Sequence, residues 1–258
     1  MPDLASGIVA AARVVAERDT GDTGDTGDTG GAGGAGGAGG VTRLPVLSSQ
    51  VPLVLRRTPE AVYLVGGAAG PLGGDDLRLD IEVRAGATLR IRTAAASVAL
   101  PGRGGGESRL RITATVGPGA RLEYLPEPVV VADGARHRVE VHVSLAGDAT
   151  LLLRDEVVLG RHGERGGACV TRLRADVGGA PLLRHEVAVD GTDEVSLGPA
   201  VLAGHRAYGS LLAAGPGVRP PASCADGVAV MPLGDHAVLV TALAPDARTL
   251  RRLLDFPA

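Results

Sequence analysis

The chain of 258 residues has no lysine, no asparagine and no tryptophan, and only one phenylalanine, three tyrosines and two cysteines. Without lysine there is no Walker phosphate loop, and no strand-to-helix G-x-G-x-x-G stands in its place. With 2% aromatics and a formal net charge of −3, the chain lacks the basic face and stacking rings of a nucleic-acid platform. Cys169 and Cys224 are too few and too far apart for a disulfide framework or a four-cysteine zinc site, so a reducing compartment is expected. No run approaches the ~18–20 apolar residues of a membrane span. The N-terminal apolar run carries Asp3 where a signal peptide needs basic residues and breaks at Arg13. The expectation is a soluble, cytoplasmic protein with neither nucleic acid nor membrane as partner.

What the chain has is Val, Leu, Ala, Gly and Arg. All 26 basic residues are arginine, beside 40 glycines and 17 prolines, the usage of a GC-rich genome. Residues 20–40 read TGDTGDTGDTGGAGGAGGAGG. The three-residue period lacks the proline of a collagen helix, and its order is not that of the nonapeptide calcium repeat. Gly-rich polar chain has much entropy to lose and nothing to bury, so this tract is expected to be a disordered loop insertion within one β domain spanning 1–258.

Beyond residue 50 the pattern is β. Leu77, Leu79, Ile81 and Val83 alternate with Arg78, Asp80 and Glu82; Leu110, Ile112, Ala114 and Val116 repeat the pattern, as do Val139, Val141, Val143 and Leu145. Small-residue turns recur at Gly86, Gly119, Gly147 and Gly179, spaced by 33, 28 and 32 residues. A period near thirty residues marks units that each leave an apolar face wet and bury it by stacking. A glycine at each corner permits positive φ. The fold class expected is therefore all-β, a two-layered β-helical, solenoid-like stack of sheets. An immunoglobulin-like sandwich competes less well, since its turns come more often. Helix is expected only at the C-terminus, where Pro245 and Asp246 start it and Leu250, Leu253 and Leu254 line one face. Residues 199–214 fit helix or strand, and their glycines favour strand.

The search for catalysis finds little. No G-x-S-x-G elbow occurs. His137 and His142, five apart on a strand, point to opposite faces. His162 reads as a solvated turn residue and Cys169 as a small buried one. The carboxylates stand out more: Glu123 between Leu122 and Tyr124, Asp155 and Glu156 inside LLLRDEVVLG, and Asp75 with Asp76 after Gly73 and Gly74. A carboxylate in such company must be exposed, paired with arginine, or facing a wet cavity.

The segments PLGGDDLRLDIEVRAGATLRIRTAAASVALPG, GARLEYLPEPVVVADGARHR and EVVLGRHGERGG together resemble the urease accessory proteins of the UreD (UreH) family. The G-G-D-x-L opening falls on Gly73, Gly74, Asp75 and Leu77. The L-E-x-L-P segment ends on Leu125 and Pro126, the D-G-A-R on Asp133, Gly134 and Arg136, and the L-G-R on Leu159, Gly160 and Arg161. The closing ADGVAVMPLGDHAVLVTALAPDARTLRRLL is also similar. The resemblance implies a two-sheet β-helical stack and a non-catalytic maturation scaffold. Such a scaffold binds the UreF and UreG accessory proteins and the urease apoprotein, and helps deliver nickel through internal passages. It implies further that ARVVAERD and VTRLPVL are adjoining strands. Asp75, Glu123 and Glu156, each beside apolar strand residues and inside a matching segment, are the candidates to line such a passage by weak, transient ligation of Ni²⁺. No tightly bound cofactor and no catalytic residues are expected. A β-helical polysaccharide enzyme and a β-solenoid binding module are the rival readings, the first disfavoured by the scarcity of sugar-stacking aromatics.

Overall fold

A computed structural model describes residues 7–19, 41–219 and 221–255. The chain opens on β1 (Val9–Arg18) and β2 (Thr42–Ser48), an antiparallel pair in which Arg18 faces Thr42. Asp19 N donates to Val41 O at 2.7 Å, so the flanks of the Gly-rich repeat meet. The repeat itself, and the disorder expected at 20–40, lie outside the described residues. A second hairpin follows, β3 (Leu53–Arg57) and β4 (Val62–Gly66).

The stack proper is built in three passes. β5 (Asp76–Val83) turns into β6 (Thr88–Thr93), followed by the short β7 (Ser97–Ala99). β8 (Ser108–Val116) turns into β9 (Arg121–Tyr124), followed by β10 (Val129–Val131). β11 (Arg136–Leu145) turns into β12 (Thr150–Leu159). Then come β13 (Ala168–Val177), β14 (Ala180–Asp190) and the single-turn α1 (Glu194–Leu197). The chain closes with β15 (Ala207–Ala214), β16 (Ser223–Ala225), β17 (Val228–Pro232), β18 (Ala237–Ala244) and α2 (Ala247–Leu254).

Two sheets result. The first has the order β14-β13-β11-β8-β5-β1-β2, with β1, β5, β8, β11 and β13 parallel. The second runs β16-β17-β18-β15-β12-β9-β6-β4-β3, parallel from β4 to β12 and antiparallel beyond. This is the solenoid-like arrangement that the thirty-residue period implied, with α2 as the C-terminal helix. Each pass crosses from the first sheet to the second at the small-residue corner, and the corners stack on one another: Gly117 N donates to Val83 O at 2.8 Å and Ala146 N to Val116 O at 2.9 Å.

The corners are not all alike. Gly86 and Gly119 adopt φ of +67° and +61°, as a left-handed corner requires. Gly147 does not enter that region, so the third corner forms without it. Gly179, at φ +84°, is no corner at all: it closes the antiparallel hairpin between β13 and β14. The fourth unit thus folds back along the first sheet and ends the parallel ladder. Residues 199–214 also divide, since only Ala207–Ala214 is strand.

The alternating residues face one another across the gap between the sheets. Leu79, Ile91, Leu122 and Val143 are fully buried there. Burying one such side chain contributes about 1.5–3 kcal/mol, so the aliphatic core compensates for the missing aromatics. His137 and Cys169 face the interior and His142 faces out, as strand parity requires. On the outer side of the second sheet α2 lays Leu250 and Leu254 against β15 and β18, capped by Asp246, whose carboxylate accepts Thr249 N at 2.8 Å. No helix among the described residues is long and apolar enough to cross a membrane.

Candidate functional site

The three expected carboxylates occupy two places. Asp75 is buried at the junction leading into β5. Its two carboxylate oxygens accept Ile8 N and Leu72 N, each at 2.8 Å, tying the start of β1 to the turn before β5. Gly73 and Gly102 approach so closely here that a Cβ on Gly73 would lie 2.6 Å from Gly102 N. Close backbone packing therefore accounts for the Gly-Gly-Asp motif.

Glu123 and Glu156 share the outer face of the second sheet. Glu123 is held by Arg92 at 3.0 Å, Arg121 at 3.0 Å and Arg90 at 3.3 Å. Burial raises its pKa, but hydrogen bonds from Arg92 and Arg121 outweigh this, and the net shift is downward. Glu156 is covered by α2, with Arg251 at 2.5 Å and Arg154 at 3.4 Å; Arg251 also reaches Glu127 at 2.8 Å. Leu125 and Pro126 lie in the same layer, where the Pro126 carbonyl accepts from Arg154 at 3.1 Å.

The remaining motif residues meet in one loop cluster. Asp133 Oδ1 accepts Gly166 N at 2.6 Å, and Gly160 N donates to Val131 O at 2.8 Å. Gly134 and Gly160 both sit at positive φ. Glu164 accepts Arg161 N at 2.9 Å and pairs with the Arg161 guanidinium, which holds its carboxyl at about 2. Arg206 grips this cluster through the carbonyls of Leu159, Arg161 and Glu164. Arg136 starts β11, and its carbonyl accepts from Ser108 Oγ at 3.3 Å. Ser108 and His137 Nδ1 lie 2.8 Å apart, while His137 Nε2 finds no partner among the described residues.

Of the carboxylates that stand out in the sequence, Asp155, the neighbour of Glu156 facing the other way, lines a cavity. A cavity of about 390 Å³ lies between β13–β14 and the strands β12, β15, β17 and β18. The register sets Asp155 opposite Ser210 and Ser210 opposite Thr241, a polar row across an otherwise apolar inner face. Thr171 faces Asp155 from the first sheet, and its hydroxyl lowers the carboxyl's pKa somewhat. Burial is the larger effect and pushes the carboxyl up to about 6. His185, its pKa lowered by burial, and Cys224 lie in the cavity wall. Tyr208 Oη is buried with no well-formed hydrogen bond among the described residues. Carboxylate, imidazole and thiol all suit a borderline cation such as Ni²⁺. Among the described residues no three His, Cys, Asp or Glu converge into a metal-holding group. Asp155, His185 and Cys224 line this one cavity as separate polar groups beside the Ser210–Thr241 row.

The protein is thus of the stacked two-sheet β class, with a polar strip between its layers and its loop motifs devoted to holding turns. The family model described as "UreD urease accessory protein" matches residues 34–256. A urease accessory protein UreD of Parafrankia sp. is 49% identical over 241 residues, covering 83% of this chain and 81% of that protein. One from Frankia alni is 46% identical, covering 82% and 85%. One from Streptomyces coelicolor is 44% identical, covering 99% and 97%. The chain belongs to the UreD family of urease accessory proteins.

Proposed function

We propose that this chain serves urease maturation as a non-catalytic scaffold in the cytoplasm, where it binds UreF- and UreG-type accessory proteins and the urease apoprotein and lets Ni²⁺ pass to the urease active site. Family membership supports the maturation role, and the two free cysteines suit a reducing compartment. The observation that carries the nickel passage is the Asp155–Ser210–Thr241 row within the inter-sheet cavity. Nickel is cargo here, so ligation must be weak: a tight site would keep the ion.

Asp155 is suited to this because its carboxyl sits near neutrality when no cation is present. At neutral pH a carboxyl titrating at about 6 is mostly ionised, so a passing Ni²⁺ would meet a carboxylate and relieve the cost of its burial without first removing a proton. Asp75, Glu123 and Glu156 are already occupied by backbone N–H groups or guanidinium groups, which would have to give way before any of them took a metal. We therefore give those three the task of holding the scaffold and assign the passage to Asp155.

The test compares Asp155→Asn with Glu123→Gln at limiting nickel, measuring nickel per urease active site beside recovery of the accessory complex. The expected result is low nickel with an intact complex for Asp155→Asn. Full nickel loading in that variant sinks the passage. Normal urease activity in a strain lacking this chain, grown at low nickel, sinks the scaffold role itself.

A further inference from the structure

The outer face of the second sheet is covered over only part of its width. Over β12, β15 and β18 lies α2, its apolar residues down on the sheet and Arg251 reaching Glu156 and Glu127. Neither α1 nor α2 packs on β3, β4, β6 or β9. Four strands at about 4.8 Å spacing leave a strip roughly 15–20 Å wide, room for one helix about 10–12 Å across.

The chemistry of the open strip is unbalanced. Arg56, Arg90, Arg92 and Arg121 all project from it, with Glu123 as the carboxylate in their midst. The Arg56 guanidinium reaches only the Leu55 carbonyl among the described residues. The register places Tyr63 between Arg56 and Arg92, and Leu152 beside Glu123, so half-buried apolar surface runs between the charges. This positive strip stands on a chain whose formal net charge is −3. Arginine-rich composition does not explain it, because the outer face of the first sheet pairs Arg13, Arg78, Arg84, Arg109, Arg111 and Arg138 with carboxylates.

We propose that this strip docks an acidic, amphipathic helix of a protein partner, laid beside α2 as a second cover on the same sheet. The chain shows both halves of the recognition. Glu123 shows that a carboxylate fits among these guanidinium forks, and α2 shows that a helix lies on this sheet with leucines down and an ion pair at its side. A nucleic acid or an anionic bilayer would meet the negative remainder of the molecule, whereas a single helix would meet only the strip. The inference holds whichever protein supplies the helix.

The experiment uses the full chain and a synthetic amphipathic helical peptide with a Leu face flanked by Glu, beside its Gln-for-Glu counterpart. Arg90→Gln/Arg121→Gln removes two exposed charges and leaves Arg92 on Glu123. Arg78→Gln/Arg84→Gln removes two from the first sheet. The Glu peptide is expected to bind, to weaken with salt, and to lose about tenfold in affinity for the strip variant only, an effect of roughly 1.4 kcal/mol. Thermal unfolding checks that both variants fold. No binding of the Glu peptide, equal binding of the Gln peptide, equal loss in the first-sheet variant, or tighter binding of phosphatidylserine vesicles overturns the proposal. A parallel measurement with purified apo-urease, UreF and UreG separates this proposal from the scaffold role. If the wild-type chain holds none of them, the scaffold role fails and the peptide decides docking alone. If the strip variant holds every one that the wild type holds, the docking site falls and the scaffold role stands.

Discussion

On the outer face of the first sheet arginines and carboxylates alternate along and across β5, β8, β11 and β13, and most of these side chains keep a third or more of their surface in water. On the outer face of the second sheet the same residue types meet beneath α2, where the Glu156 side chain has no exposure and Arg154 has 10%. One lattice is solvated, the other desolvated. Coulomb attraction in water is weak and is offset by the entropy of holding long side chains, so the first lattice contributes little to stability. The second cannot lose a member without stranding a charge. Sequence spacing is similar in both; what differs is whether a helix lies on top.

The largest expected effect follows directly. Glu156→Gln leaves Arg154 without its carboxylate under α2 and should cost about 3 kcal/mol in urea unfolding, the lower end for a broken buried pair because Arg251 keeps Glu127 and 29% of its side-chain surface exposed. Combining it with Arg154→Met should recover part of the loss, since a stranded cation costs more than an absent pair. A single-variant loss below about 1 kcal/mol would mean the covered face behaves like the open one.

The next effect concerns the inner faces, where two titrating groups pull in opposite directions. Burial holds the His137 imidazole down to about 4, so the folded state resists a proton that the unfolded chain accepts near 6.5. Its contribution is full above pH 6.5 and is lost as pH falls toward 4, by about 2–3 kcal/mol. Asp155 is the reverse. Its folded pKa of about 6 lies above the ordinary 3.8, so its contribution is full below pH 3.8 and is lost as pH rises through 6. Asp155→Asn should therefore stabilise the metal-free protein above pH 6 by about 1–2 kcal/mol, discounted because the cavity leaves the residue half-buried, and should change nothing at pH 3.5. His137→Gln should flatten the acid limb. Unfolding curves from pH 3.5 to 8 check both, and a pH-independent gain in Asp155→Asn would show that its carboxyl is not desolvated.

These two groups also mark how far the sequence can be read. Period-two alternation gives the strands β5, β8 and β11 with their inward faces, because one side of each meets the core and the other meets water. The thirty-residue spacing gives the stack. It does not separate a corner from a hairpin, since Gly119 and Gly179 both sit in small-residue turns at positive φ, and only the antiparallel pairing of β14 with β13 decides the direction. At β12 alternation fails for a physical reason. Leu151 and Leu153 face the inter-sheet core while Leu152 and Val158 face the layer under α2, so both sides read as apolar. Nothing in LLLRDEVVLG says that Asp155 points inward and Glu156 outward, except counting parity from Leu151. Arg206 leaves no trace either, because the carbonyls it grips lie more than forty residues away in sequence.

The smallest effect tests the other side of the comparison. Glu82 on β5 meets Arg84 at 3.0 Å and Arg13 at 3.1 Å, two partners, as Glu156 has. The Arg84 hydrogen bond is the largest influence on its carboxyl, and with Arg13 it carries the net shift downward against burial. Counting ion pairs would therefore rank Glu82→Gln beside Glu156→Gln. Exposure ranks them far apart: the Glu82 side chain is 34% exposed, and water replaces each lost contact at once. The change in unfolding free energy should be under about 0.5 kcal/mol, shrinking further as salt screens the pair. Because a carboxyl held below its ordinary pKa contributes only above that range, this small loss should be present at pH 7 and vanish near pH 3. A loss at pH 7 as large as that of Glu156→Gln would show that the solvated lattice acts as one network, and that cover by α2 is not what separates the two faces.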